Sequence, residues 1–437
     1  MKVIIIAAAT IFFAVFALSL LLYNNTMNFT IYAQSDLQVT KHRNMVIDLG
    51  NGLETHAKLN LPSTGKGPYP GVLLVPGSGK TDMNETVGYN SIDNKTGSLI
   101  YPSARPFFDI AEYLSERGFA VLQYDKRGIG ANMTILDNNV WGNITVTDLI
   151  NDAQKALDVL IQQPEVDSSK ISLIGHSEGT TIVPRIAINN PDKVDNIVLM
   201  GTLAQNLKEI LNYQIMVPAR YAQEVLDHNH TGLISFQEAS KDPVFTSLVR
   251  NLTQFLTQDI TLSNGTNKRL NPQYDINNDT FISINDELKP ILMDQAKSLS
   301  VVKPGEKCNG LEGPCPIWIN SQYSLTPNLD IIDKVPSNIS VLVLQGENDS
   351  NTPIQQAFLL QQKLTELRHP NHTLITYPNL GHLFYPSSQW IAAHRGPISP
   401  YVLADLYSWL ESHSGFTPLY ASMHSSNSSS SSNFVNK

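Results

Sequence analysis

A serine hydroxyl becomes a nucleophile when a histidine takes its proton and a carboxylate orients that histidine, and this chain offers such a set in the order Ser177, Asp349, His382. Ser177 is the centre of Gly175-His176-Ser177-Glu178-Gly179. An apolar strand-like run at 171–174 precedes it, and a helical pattern opening with Thr180 and Thr181 follows. A five-residue match arises by chance, so its context carries the weight. A nucleophile on a strand-to-helix turn takes a strained conformation with close backbone neighbours, which the flanking glycines permit. The Glu178 backbone N–H, at the first turn of the helix, can then face a developing oxyanion.

The acid and base are expected downstream. Asp349 sits in Gly346-Glu347-Asn348-Asp349, directly after an apolar run at 341–345, with Glu347 as the rival acid closer to the strand. His382, in Asn379-Leu380-Gly381-His382, follows an extended stretch at 373–377 and is the expected base. Among the other ten histidines, His176 is expected to be buried inside the turn, and His394 lies too near the final helix. A second oxyanion donor is expected from Pro76-Gly77-Ser78-Gly79, through the Ser78 N–H. Lys80 lacks the spacing and the following Ser/Thr of a phosphate-binding loop.

These residues need a scaffold that brings them to one edge. Residues 45–61 read as two alternating strands around Asn51-Gly52, a strong hairpin signal. Short apolar runs at 71–75, 119–124, 171–174, 197–200 and 341–345 read as buried strands, and helical spacing occurs at 106–117, 146–163, 179–189 and 354–368. An antiparallel start followed by alternating strand and helix predicts an α/β fold with a mostly parallel central sheet flanked by helices. The alternation lapses over 202–336, predicting a large helical lid insertion between core segments at 40–201 and 337–415. The Ser/Asn-rich tail at 416–437 has nothing to bury and reads as disordered.

The net charge of −9 and pI near 5.6, without a block of Lys or Arg, exclude nucleic acid as the main partner and favour a small neutral substrate. After Lys2, an apolar run at 3–23 can serve as a signal peptide or a membrane anchor within 1–33. Ala33 offers a cleavage point, and cleavage is the slightly favoured reading. Asn-x-Ser/Thr triplets begin at fourteen asparagines, against about five expected by chance, which points to glycosylated surface loops and an extracellular location. There Cys308 and Cys315 would close a short loop as a disulfide.

Together these motifs resemble the α/β-hydrolase superfamily, and within it bacterial and archaeal esterases related to serine aminopeptidase-like hydrolases. Gly77-Ser78-Gly79-Lys80-Thr81-Asp82 is similar to that group's Gly-Ser-Gly-Pro-Thr-Asp, and Tyr124-Asp125-Lys126-Arg127-Gly128-Ile129-Gly130 matches a second motif completely. The resemblance implies the α/β-hydrolase fold and carboxylesterase activity on short or medium acyl esters, with no cofactor for catalysis. Lys80 and Met83 depart from the usual Pro and basic residue, so substrate identity does not transfer. A peptidase with the same residues is the alternative. A calcium-stabilised, non-enzymatic surface protein is the remaining one.

Within the insertion, 227–238 fits an EF-hand calcium loop, with Asp227, Asn229, Thr231, the Leu233 carbonyl, Ser235 and Glu238 at the ligand positions. A second stretch repeats it as Asp275, Asn277, Asp279, the Phe281 carbonyl, Ser283 and Asp286, with Thr280 for Gly and a shorter final acid. Ile234 and Ile282 would pair across the two loops, and a structural calcium pair would stiffen the lid. An Asn/Asp-rich turn can mimic the pattern, and the triplets at Asn229 and Asn278 would conflict with calcium if glycosylated.

Overall fold

Asn51 and Gly52 take φ angles of 56° and 74°, so the chain reverses tightly and strands β1 (Lys41–Gly50) and β2 (Leu53–Leu61) pair antiparallel. The computed structural model describes residues 40–87, 104–249, 257–262, 265–270, 277, 279–300, 316–387 and 397–415. The N-terminal apolar segment, Cys308, Cys315, Asp275 and the C-terminal tail lie outside them. Among the described residues, no helix is long and apolar enough to cross a membrane.

Six further strands complete an eight-stranded sheet: β3 (Tyr69–Val75), β4 (Ala120–Tyr124), β5 (Val166–His176), β6 (Asn196–Met200), β7 (Ser340–Gly346) and β8 (His372–Tyr377). Their order is β1-β2-β4-β3-β5-β6-β7-β8. From β4 through β8 every neighbouring pair is parallel, and the hairpin is joined antiparallel through β2 and β4. Strands buried on both faces carry continuous apolar runs, as 72–75 of β3, 197–200 of β6 and 341–344 of β7 do.

Alternate strand residues feed two cores. Leu73, Leu173, Leu199 and Val343 point to the face covered by α2 (Val146–Ile161), α3 (Gly179–Asn189) and α5 (Ile354–Glu366). Leu74, Ile174, Val198 and Leu344 point to the face covered by α1 (Pro106–Ser115) and α6 (Pro400–His413). Helix α2 is started by a reciprocal cap between Thr145 and Asp148. Parallel strands require crossovers, and these place the carboxyl ends of β3, β5, β6 and β7 along one rim.

The insertion between β6 and β7 is less uniformly helical than its composition predicts. Besides helices at Leu207–Ile215, Lys289–Ser300 and α4 (Pro316–Tyr323), it holds antiparallel pairs of Thr257–Leu262 with Gly265–Leu270 and of Leu233–Ser235 with Phe281–Ser283. It has its own apolar cluster, including Tyr221, Ile234, Phe245, Ile282 and Leu288. Both ends are anchored to the core. Gln356 of α5 accepts from the Ala204 and Gln205 N–H groups, and the Asn328 amide donates to the Thr180 and Leu203 carbonyls.

Candidate active site

Ser177 has φ of 51°, a left-handed conformation that costs a non-glycine residue about 1 kcal/mol or more. The surroundings hold it there. Its N–H donates to the Met200 carbonyl at 2.9 Å, and its carbonyl accepts from the Thr180 N–H and hydroxyl. The flanking glycines are required by contact: a Cβ on Gly175 would collide with the Gly179 carbonyl, and one on Gly179 with the Val75 carbonyl.

Asp349 and His382 meet as the sequence order predicts, with Asp349 Oδ2 2.8 Å from His382 Nδ1. Both are buried. The carboxylate also accepts from the Asn351 and Thr352 N–H groups, the Thr352 hydroxyl and Gln345 Nε2. Burial alone would raise its pKa, but the His382 charge and hydrogen bond, with the Thr352 donors, hold it below the ordinary 3.8. Glu347, the rival acid, is exposed and accepts from the Thr376 hydroxyl.

The His382 ring reaches the Ser177 turn from two directions. It packs against Gly201, where a Cβ would lie 3.1 Å from Cε1, and Gly201 follows the residue that accepts the Ser177 N–H. Its centroid is also 4.7 Å from that of His176, the residue before Ser177. The glycine-rich loop after β3 closes the other side, where a Cβ on Gly77 would lie 3.2 Å from Ser177 Cβ. Neither the Ser78 N–H nor the Glu178 N–H has a hydrogen-bond acceptor among the described residues. Amides left without an acceptor beside a nucleophile can receive a developing oxyanion if they converge on one point.

Two buried charged pairs escaped the sequence reading. Glu85 Oε1 accepts from the Gly77 N–H at 2.7 Å and lies 2.9 Å from His176 Nδ1. Lys126 Nζ lies 2.7 Å from Glu178 Oε2, and the other Glu178 oxygen accepts from Trp318 Nε1 and Gln322 Nε2 of α4. The available signal was the complete Tyr-Asp-Lys-Arg-Gly-Ile-Gly motif, which contains Lys126.

The EF-hand-like loops are partly assembled. Ile234 pairs with Ile282 in the expected register, and Gly232 and Thr280 take φ of 77° and 68°. Asp227 accepts from the Thr231 and Gly232 N–H groups, while Asn229, Thr231, Glu238, Asn277, Asp279 and Asp286 are exposed. Among the described residues, no three His, Cys, Asp or Glu side chains gather as a metal site.

A parallel sheet with a strained serine at the end of β5 and an acid–histidine pair beyond β7 and β8 defines a class. The sequence profile of the α/β-hydrolase fold family matches residues 72–388, and the chain belongs to that family as a hydrolase. Among individual proteins, it is 35% identical over 166 residues to Esterase EstD of Thermotoga maritima, a match spanning 38% of this chain and 34% of that esterase. The chain thus matches about a third of that relative's length. Solved structures to which it is similar include the α/β-hydrolase GrgF from a Penicillium species (16% identity, 86% of this chain and 100% of that one, TM-score 0.45). Another is Est1E from Butyrivibrio proteoclasticus (13% identity, 85% and 99% coverage, TM-score 0.42).

Proposed function

We propose that this hydrolase is a carboxylesterase that cleaves short or medium acyl esters through an acyl-enzyme. Ser177 attacks the carbonyl, His382 takes its proton and later returns it to the leaving alcohol, and Asp349 holds the imidazole in the required tautomer. The Ser78 and Glu178 amides receive the oxyanion. The reading is carried by the 2.8 Å Asp349–His382 pair beside a serine in a strained turn. The esterase relative supports ester over amide as the substrate class.

The test has two parts. A fluorophosphonate should label the wild-type protein and leave Ser177→Ala unlabelled. Nitrophenyl esters should then be turned over far faster than aminoacyl anilides. Preferred turnover of the anilides would assign a peptidase, and labelling that survives the substitution would sink the serine mechanism.

The N-terminal apolar run and the excess of Asn-x-Ser/Thr triplets support work outside the cytoplasm, secreted or membrane-anchored. The register of Ile234 with Ile282 supports a second element of the proposal, a calcium pair in the lid with a structural role.

A further inference from the structure

The Lys126 ammonium is buried, and among the described residues its short contacts are with the two segments proposed to supply the oxyanion donors. Nζ lies 2.5 Å from the Gly77 carbonyl oxygen, 2.7 Å from Glu178 Oε2 and 3.5 Å from the Gly79 carbonyl oxygen. Three donors meet three acceptors. The Gly77 carbonyl belongs to the same peptide plane as the Ser78 N–H, and in a trans peptide the two point in opposite directions. Whatever holds that oxygen therefore aims that N–H.

We infer that Lys126 is a positioning residue for the oxyanion site: by gripping the Gly77 carbonyl while paired with Glu178, it fixes the direction of the Ser78 N–H relative to the Glu178 N–H. This rests on the reading of Ser177 as the nucleophile. Glycine is the least restricted residue about its own backbone dihedrals, so contacts set the direction of the Gly77 carbonyl, and the 2.5 Å contact with Lys126 is closer than the 3.4 Å one with the Thr81 hydroxyl. The other end of Gly77 is pinned as well, because its N–H donates to Glu85 Oε1 at 2.7 Å. A cation on the carbonyl oxygen also polarises the peptide, which strengthens the opposite N–H as a donor.

The pairing explains why a charge sits here at all. A buried ion pair is a weak source of stability, since desolvation offsets most of the attraction and an apolar replacement of similar volume often serves as well. What an apolar pair cannot do is tie a carbonyl oxygen on one strand-end loop to the residue after the nucleophile on another. Glu178 makes that tie rigid. Its Oε1 accepts from Trp318 Nε1 at 2.6 Å and from Gln322 Nε2, so the carboxylate is fixed from the lid side as well.

The test compares wild type with the double variant Lys126→Met/Glu178→Gln, which removes both charges together and leaves none unpaired. With an ester substrate, kcat should fall about 10- to 100-fold while KM changes by less than about threefold, because the donor acts on charge that develops only in the transition state. The readout specific to this role uses a thionoester of the same acid and alcohol, whose sulfur is a poor acceptor. Wild type should discriminate strongly against it, and the double variant should discriminate less. A lower kcat with unchanged discrimination, or no fall in kcat, would overturn the inference. Should the double variant not fold, Glu178→Gln alone leaves one oxygen to accept from Trp318 and Gln322, turns the oxygen facing Lys126 into an amide donor, and should show a several-fold loss with the same compressed discrimination; undiminished discrimination there overturns it equally. Turnover that persists in Ser177→Ala would instead remove the esterase reading.

Discussion

Glu85 Oε1 lies 2.9 Å from His176 Nδ1, and the second nitrogen of that ring lies 3.0 Å from the His382 carbonyl oxygen. With Glu85 ionised, both partners accept, so the ring donates from both nitrogens and carries a positive charge. This imidazolium ties the loop after β3 to the loop that bears His382.

The first prediction concerns how stability depends on pH. Burial pushes the His176 pKa down, but the Glu85 charge and hydrogen bond, the His382 carbonyl and the Asp349 charge together lift it above the ordinary 6.5. The His382 ring is the other titratable group packed against it. A histidine pKa raised by folding contributes stability that is complete below pH 6.5 and is lost as pH rises through the folded-state value. Urea unfolding between pH 6 and 9 should show that loss, and Glu85→Gln should move it to lower pH. An unmoved profile in Glu85→Gln would remove the imidazolium.

The second prediction separates the two acids after β7. Asp349→Asn keeps the size of the side chain but offers His382 the wrong hydrogen-bonding group, and kcat should fall about 10³- to 10⁴-fold. Glu347→Gln should leave kcat within about twofold, since Glu347 faces solvent and, among the described residues, its carboxylate accepts from the Thr376 hydroxyl alone. Equal losses in steady-state assays of both variants would refute the assignment of Asp349.

Why one of these acids could be chosen from sequence, and the buried pairs could not, follows from what spacing encodes. The strands at 71–75, 197–200 and 341–345 were legible because burial on both faces demands continuous apolar residues. The start of β5 at Val166 was not, since Asp167 to Lys170 are polar and partly or fully exposed. Nor was the pair of Thr257–Leu262 with Gly265–Leu270, whose second member reads Gly-Thr-Asn-Lys-Arg-Leu and has no apolar alternation. Motif order pointed to Ser177, Asp349 and His382 because each follows a recognisable strand, and the fold pairs the latter two. Glu85 and His176 stand 91 positions apart, and Lys126 and Glu178 stand 52 apart. Such charged residues look solvated until the fold brings their partners to them.

A third prediction concerns Asp125, next to Lys126 in the same motif. Burial raises its pKa to about 6, against the opposing effect of the Met83 N–H, which donates to it at 2.6 Å. The nearby Asp82 charge raises it further, and His56 lowers it. A carboxyl whose pKa is raised by folding binds its proton more tightly when folded, so stability declines as pH climbs from 3.8 to about 6. Asp125→Asn keeps an acceptor for Met83 and removes the buried charge. It should stabilise the protein by on the order of 1 kcal/mol at pH 8 and have little effect at pH 4, as read by denaturant midpoints at the two pH values. A gain of equal size at both would mean that ionisation is not the cause.

The last prediction concerns the lid. The two loops share a short antiparallel ladder centred on Ile234 and Ile282, both buried in the lid's apolar cluster, and each turns through a positive φ at its sixth position. Asp227 already accepts the Gly232 N–H at 2.8 Å, which bends the first loop around its opening ligand. Glu238, the twelfth residue of that loop, is exposed, so binding would have to draw it inward to close the cage. Calcium held by the folded loops and not by the unfolded chain would act on stability by linkage. At a concentration about 100 times its dissociation constant, an ion that binds only the folded state stabilises it by about 2.7 kcal/mol, which should raise Tm by several degrees. Scanning calorimetry in calcium and in chelator should show that difference, and Glu238→Gln should shrink it by depriving the first loop of its bidentate ligand. Identical Tm values in the two buffers would mean that the paired loops hold the lid together through the isoleucine ladder alone.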